Sequence, residues 1–237
     1  MQTAQIQNLE LVRTAAERLH GRVAGLPGMA VMYGPAGYGK TTAALAIANE
    51  NRSYFVQLRS AWTRKVILEK ILIEMGIGAS GTLGALLDRV CEQLGASGRM
   101  LILDEADYAV RADSIVELIR DIYEGSQSTL LLIGEEMLPQ KLKRWERFHS
   151  RVLSWIPAQP VSTLDAAELS PIYCPDVRIA SDLLEHLVAR SGGSVRRVSV
   201  NLAAIAEVAA VEGWDTATLA TWGDRPIYTG EAPRRGV

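Results

Sequence analysis

An α/β fold, a five-stranded parallel sheet flanked by helices and followed by a small helical lid, is predicted by three observations. Five short apolar runs are separated by stretches of helical periodicity. The first run ends in a glycine-rich loop that opens a helical pattern. Strand-like runs stop at about Pro160, after which short helical patterns follow one another.

The runs are Met29 to Tyr33, Tyr54 to Leu58, Met100 to Asp104, Thr129 to Gly134 and Arg151 to Ile156. They are rich in aliphatic and β-branched residues, as strands of a parallel sheet covered on both faces are. Between them the periodicity predicts helices over Thr41–Asn51, Arg64–Met75, Thr82–Gly95, Ser114–Tyr123 and Pro139–His149. The opening stretch "MQTAQIQNLELVRTAAERLH" has no continuous apolar core after a basic start, so it reads as an amphipathic helix rather than a signal peptide. Beyond Pro160 the patterns Leu164–Leu169, Ile179–Ser191 and Ser194–Glu212 are helical, and no further strand is expected. The end, "TWGDRPIYTGEAPRRGV", carries Gly and Pro without periodicity and reads as irregular. The expected organisation is an α/β domain over 1–160 with an N-terminal helix, a helical lid over 161–221 and an irregular tail over 222–237.

Composition narrows the classes. The 237 residues, 48% of them hydrophobic, suffice for one large domain or one large plus one small. The longest apolar runs fall well below the roughly 20 residues that cross a bilayer, so a cytoplasmic protein with no membrane partner is expected. A formal net charge of −2 and a pI near 6.0 argue against coating nucleic acid through bulk charge, so any such contact would be a local patch. Cys91 and Cys174 stand far apart and near no histidine cluster, giving neither a zinc pattern nor a disulfide framework.

The chemistry starts in "GPAGYGKTT", the residues Gly34, Pro35, Ala36, Gly37, Tyr38, Gly39, Lys40, Thr41 and Thr42. The spacing G-x-x-x-x-G-K-T between a strand and a helix is that of a P-loop, and the whole stretch is the expected nucleotide-binding set. Glycines allow positive φ and close backbone approach, so amide groups and the helix N-terminus can face phosphates. Lys40 is placed for the β- and γ-phosphates and Thr41 for Mg²⁺. The run "MLILDEAD" supplies the matching carboxylates: Asp104 for the Mg²⁺ shell, Glu105 for orienting or deprotonating the attacking water. D-E-A-D also spells a helicase motif, but that machine needs two α/β lobes and this chain holds one. No N-K-x-D-like guanine reader appears, so ATP is the expected nucleotide.

These motifs resemble those of AAA+ ATPases, and the resemblance implies further residues. Such proteins hydrolyse ATP between subunits, with an arginine reaching across from the neighbour. "LPQKLKRWERFHSRV" offers Arg147 and Arg151 where that finger is expected; a solvated basic helix face is the alternative for either. In "SGGSVRRVSVNL", Gly193 and Arg196 resemble the Gly-x-x-Arg second sensor of AAA+ lids, which makes Arg196 the first candidate and Arg197 the second. The first sensor falls in Ile133-Gly134-Glu135-Glu136, where Gly134 and Glu135 replace the Asn, Thr or Ser of the family.

The order P-loop, "LILDEAD", "LLLIGEEMLPQKLKRWERFHSRV" and "GGSVRRV" resembles the transposition ATPases of transposable phages, the Mu B protein group, and their transposon relatives, over roughly residues 25 to 210. The likeness implies an ATPase that assembles helical filaments on double-stranded target DNA, largely without sequence preference, and stimulates a transposase. The Mu B protein group also carries an N-terminal helix-turn-helix domain, whereas this sequence leaves room for one helix before Gly28. DNA contact is therefore expected on the core itself, at "QLRSAWTRK": Arg59, Arg64 and Lys65 for phosphates, against a solvated helix start. Trp62 either lies along a groove or anchors the helix. Weak phosphate sites on an acidic protein gain avidity by polymerisation, which suits a homo-oligomeric filament or ring. A helicase-loader-like replication accessory ATPase acting on a protein partner is the alternative. A pilus- or secretion-associated ATPase is weighed down by the lack of a transmembrane or peptidoglycan-binding stretch.

Overall fold

The computed structural model describes residues 4–231. In chain order the first part comprises α1 (Gln7–His20), β1 (Met29–Tyr33), α2 (Lys40–Asn51), β2 (Tyr54–Gln57), α3 (Arg64–Glu74), α4 (Leu83–Ser97), β3 (Leu101–Asp104), a 3-10 helix (Ala106–Arg111), α5 (Asp113–Ser126), β4 (Leu130–Gly134), α6 (Leu138–Leu142), α7 (Glu146–His149) and β5 (Val152–Pro157). The second comprises α8 (Thr163–Tyr173), β6 (Arg178–Ile179), α9 (Ser181–Ser191), α10 (Val195–Glu212), β7 (Thr216–Ala217) and α11 (Leu219–Trp222). The described residues pack into two compact units, one of 11–35 and 40–158, the other within 1–10, 36–39 and 159–237.

The sheet unit is five parallel strands in the order β2-β3-β4-β1-β5, the architecture expected from the five apolar runs. Every residue of β3 and β4 is buried, because helices cover both faces of the sheet; this is why these runs are continuous rather than alternating. At the β2 edge the alternation returns, with Tyr54 and Val56 buried and Gln57 exposed. Local chemistry sets the helix ends. Thr63 and Thr82 cap α3 and α4 by accepting the Val66 and Ala85 amides, and α4 stops at Gly98 in the left-handed region. The core joins Val31, Leu68, Ile71, Leu103, Ile119 and Leu132, each burial contributing ~1.5–3 kcal/mol relative to exposure.

One helix reads differently from its periodicity. The single helix expected over Pro139–His149 is two short ones, because Trp145 leaves the helical region (φ −108°, ψ 82°). Its ring packs half-buried against the core, and Phe148 one turn on is fully buried.

In the second unit α8, α9 and α10 pack on one another through Ala166, Leu169, Leu183, Leu187, Leu202 and Ile205, all buried. Ser162 and Asp165 form a capping box at the start of α8, and Asp165 also accepts the Gln7 amide at 2.7 Å. The expectation that strands disappear after Pro160 needs correction: β6 and β7 form a two-stranded parallel sheet. Strands of two residues carry no period, so the pattern could not register them. Beyond Trp222 the described residues form no helix or strand, yet Asn201, buried in α10, accepts the Tyr228 amide at 2.8 Å and donates to its carbonyl at 3.0 Å. Residues 232–237 of the expected irregular tail lie outside the described residues. No helix among the described residues is long and apolar enough to cross a membrane.

Candidate functional site

The P-loop leaves β1 at Gly34 and enters α2 at Lys40. Gly37 and Gly39 lie at φ 84° and 81°, a region that L side chains rarely adopt, which is why the motif places glycine there. Lys40 folds its ammonium onto the loop, donating to the Gly34 and Pro35 carbonyls at 2.7 and 2.8 Å. Burial pushes its pKa down, while the surrounding carboxylates, led by Asp104 and Glu105, hold it up. Thr41 follows on α2 and Thr42 beside it is exposed.

The carboxylates come from the C-terminal end of β3. The β2–β3 register sets Gln57 beside Asp104. Asp104 is 2% exposed and accepts from three directions: Thr41 Oγ1 at 2.9 Å, the Glu105 amide at 2.9 Å and Gln57 Nε2 at 3.4 Å. Burial pushes its pKa up, against the pull of the Glu105 and Thr41 bonds and of Lys40. Glu105 sits half-buried in the left-handed region (φ 55°, ψ 40°). Its carboxyl is also pushed up, first by burial and then by Asp104, Glu135 and Asp107. A pair of hard oxygen donors, one hydroxyl and one carboxylate 2.9 Å apart, suits Mg²⁺, which takes few protein ligands and completes its shell with phosphate and water. Thr41, Asp104, Glu105 and Lys40 therefore stand together where α2 starts and β3 ends.

The loop tip, residues 36–39, belongs with the C-terminal helices. The Gly37 carbonyl accepts the Arg196 amide at 3.2 Å and the Ser194 hydroxyl at 3.4 Å. The buried Asn8 donates to the Tyr38 carbonyl at 2.8 Å. The Arg196 backbone is thus at the loop, and its side chain is exposed. Arg197 instead donates to the Ser191 carbonyl at 3.0 Å.

The two finger candidates also differ. Arg147 on α7 is exposed and forms no ion pair among the described residues, whereas Arg151 pairs with Glu124 at 2.5 Å. Both line an open cavity of about 510 Å³ with Arg120, Asp121, Glu124 and Ser150. In the basic segment Arg59 lies 5.7 Å over the Trp62 ring, Arg64 is exposed, and Lys65 faces Glu69 at 3.9 Å. Trp62 is half-buried against the sheet unit's core. Cys91 is remote from this chemistry, and its thiol is pushed up to about 11, by burial first and then by Asp88, Asp121 and Glu92.

Sequence reading missed three residues. Gln57 reaches Asp104, a relation visible only in the strand register. Asn8 holds the loop tip from far upstream. Asp107, the last letter of D-E-A-D, is 7% exposed and bonded to the end of β4, where its burial was the hidden signal.

No curated protein matches at a significant level. Among solved structures, the chain is similar to the ORC2 protein of Aeropyrum pernix in ADPNP–ADP complexes, with TM-score 0.64, 21% identity, and 89% of this chain and 64% of that one covered. It is similar to Cdc6p from Pyrobaculum aerophilum, with TM-score 0.63, 16% identity and coverage of 89% and 63%. It is also similar to the ORC1 protein of Aeropyrum pernix in complex with DNA, with TM-score 0.63, 20% identity and coverage of 91% and 63%. The chain thus spans less than two thirds of the length of these structures, at identities that speak to fold alone. The sequence profile of an AAA domain matches residues 24–142, from just before β1 to the end of α6. With the P-loop, Asp104 and Glu105 standing inside that span, the chain belongs to the AAA domain family and carries an ATPase domain of that type.

Proposed function

We propose that the protein binds and hydrolyses ATP, and that it uses the nucleotide to assemble copies of itself on double-stranded DNA, where it stimulates a transposase. The observation that carries the ATPase half is the 2.9 Å bond between Thr41 and Asp104, with Lys40 and Glu105 beside it. The loop from Gly34 to Thr42 cradles the phosphates, and Lys40 exchanges its two carbonyl partners for phosphate oxygens. Mg²⁺, held by Thr41 and Asp104, would supply charge neutralisation at the β- and γ-phosphates. Glu105 orients a water and takes its proton as the new O–P bond forms and the bond between the γ-phosphorus and the bridging oxygen breaks. The products are ADP and inorganic phosphate. A carboxyl held above the usual range by burial is a better proton acceptor than an exposed one.

Arg147 is the preferred finger from a neighbouring subunit, because its guanidinium is uncommitted while Arg151 is tied to Glu124. Arg196 reads the γ-phosphate from the lid, whose boundary with the α/β domain we place near residue 160. Losing the γ-phosphate removes what Arg147 grips across the interface, so hydrolysis releases the assembly. Arg59, Arg64 and Lys65 contact DNA phosphates and give affinity without sequence preference. That an AAA-fold relative, Aeropyrum pernix ORC1, was solved in complex with DNA supports DNA as the ligand class. The stretch "GEEMLPQKLKRWERFHSRV" supports the transposition branch, with a cytoplasmic location. The Orc and Cdc6 likeness favours a second reading, a replication accessory ATPase acting on a protein partner.

Electron microscopy of the protein with ATP and duplex DNA, each alone and both together, tests the assembly. Filaments that need both support the first reading; none under any condition, with a hexameric helicase bound instead, supports the second. Glu105→Gln should bind ATP, lose turnover by about 10²- to 10⁴-fold and leave long-lived DNA complexes. Rapid turnover by that variant would remove Glu105 from the mechanism.

A further inference from the structure

Asp107 lies two residues beyond Glu105, inside the 3-10 helix Ala106–Arg111, with its residue 7% exposed. Both of its carboxylate oxygens accept bonds from residues just beyond the C-terminal end of β4. Oδ2 accepts the Glu135 amide at 2.5 Å, and Oδ1 accepts Lys141 Nζ at 2.7 Å from α6. The end of β4 is shaped around this carboxylate: a Cβ at Gly134 would stand 2.5 Å from Asp107 Oδ2 and collide with the Leu138 side chain. Glycine at that position, where a polar side chain was expected, is what lets Asp107 in.

Glu105 needs such an anchor. Its left-handed backbone is unfavourable for any residue with a Cβ and persists only when neighbours over-determine it. Two bonds hold it: its amide donates to Asp104 Oδ1 at 2.9 Å, and its carbonyl accepts the Tyr108 amide at 3.0 Å. The second belongs to the 3-10 turn, and Asp107 ties that turn to β4 and α6. Glu105, Asp107, Glu135 and Lys141 line one cavity of about 190 Å³, room for several waters at roughly 30 Å³ each.

We propose that Asp107 is the positioning residue for Glu105, with Lys141 as its charge partner. This rests on the reading of Glu105 as the residue that activates water. The chemistry demands a carboxylate: both partners of Asp107 are donors, so an amide in its place satisfies one and turns its own N–H groups toward the other. The bond network at the turn then loosens, and the Glu105 carboxyl loses its fixed place over the water.

Asp107→Asn, of nearly the same shape, should lower kcat by about 10- to 100-fold, the scale of an ångström-sized misplacement, while the dissociation constant for a fluorescent ATP analogue stays within about twofold. Lys141→Met should lower kcat with nucleotide affinity unchanged, Lys141→Arg should restore it, and Lys141→Met should add little to Asp107→Asn. Wild-type kcat in Asp107→Asn overturns the proposal, as does a loss of kcat matched by equal losses of nucleotide affinity and melting temperature. Should Asp107→Asn fail to fold, the two Lys141 variants decide: equal turnover in both overturns it. Glu105→Gln in the same assay separates the two ideas. Turnover surviving there sinks the water-activating role, whereas its loss there beside wild-type kcat in Asp107→Asn sinks the positioning role alone.

Discussion

The carboxylate centre and the arginines around the fold are built on opposite principles. Asp104 is buried, and its two oxygens are shared among Thr41, Gln57 and the Glu105 amide; Lys40 is held by two carbonyls. Each group's position follows from bonds inside one unit. The arginines come instead as one tied and one untied member: Arg151 pairs with Glu124 while Arg147 is exposed, and Arg197 bonds to Ser191 while the Arg196 side chain is exposed. A buried, mutually bonded centre is preorganised and costs little rearrangement when charge develops. The Arg147 and Arg196 side chains form no ion pair among the described residues, so they remain for something that arrives from outside.

This contrast breaks most sharply at Lys40. Lys40→Ala should reduce ATPase turnover by about 10³-fold or more and abolish ATP-dependent DNA assembly, read by phosphate release and by light scattering with duplex DNA. Assembly that survives would mean the centre is not where nucleotide energy enters. Next comes the arginine pair. Arg147→Ala should cost about 10³-fold in turnover at the low end of supplied-arginine effects, and Arg151→Ala far less, because the latter already serves an internal ion pair. When each is mixed with Lys40→Ala subunits, which keep an intact Arg147 but cannot bind nucleotide, Arg147→Ala should regain turnover, whereas Arg151→Ala, already active alone, should gain none. The reverse pattern would show that an internal partner does not disqualify a finger. The smallest effect belongs to the basic segment. Replacing Arg59, Arg64 and Lys65 with alanine should weaken DNA binding alike across sequences and flatten the plot of log affinity against log salt by about 1 for each DNA phosphate no longer neutralised. An unchanged slope would leave those side chains as a solvated helix start.

What could be read ahead of the structure follows the same division. β1 and the P-loop were legible because strand, glycine spacing and Lys-Thr are contiguous, and β1 spans Met29–Tyr33 as the apolar run does. Asp104 and Glu105 were legible because an apolar run ending in acids marks the end of a buried strand. Relations between strands were not. Gln57 beside Asp104 depends on register, and Asp107 under Gly134 depends on the 3-10 helix meeting the end of β4 in space. The two-residue strands β6 and β7 and the break at Trp145 were hidden for a different reason, since none is longer than one period of the pattern that would reveal it.

The strand order has a consequence for biosynthesis. β1 pairs with β4 on one side and β5 on the other, from Met29 opposite Leu130 to Tyr33 opposite Pro157. Both neighbours lie on the order of 100 residues further along the chain, so at ~5–20 residues per second this apolar strand waits roughly 5–20 s after leaving the ribosome before either exists. During that interval "MAVMY" is an unpaired edge, and the nascent chain is exposed to association with its own copies before the site that would govern such association has formed.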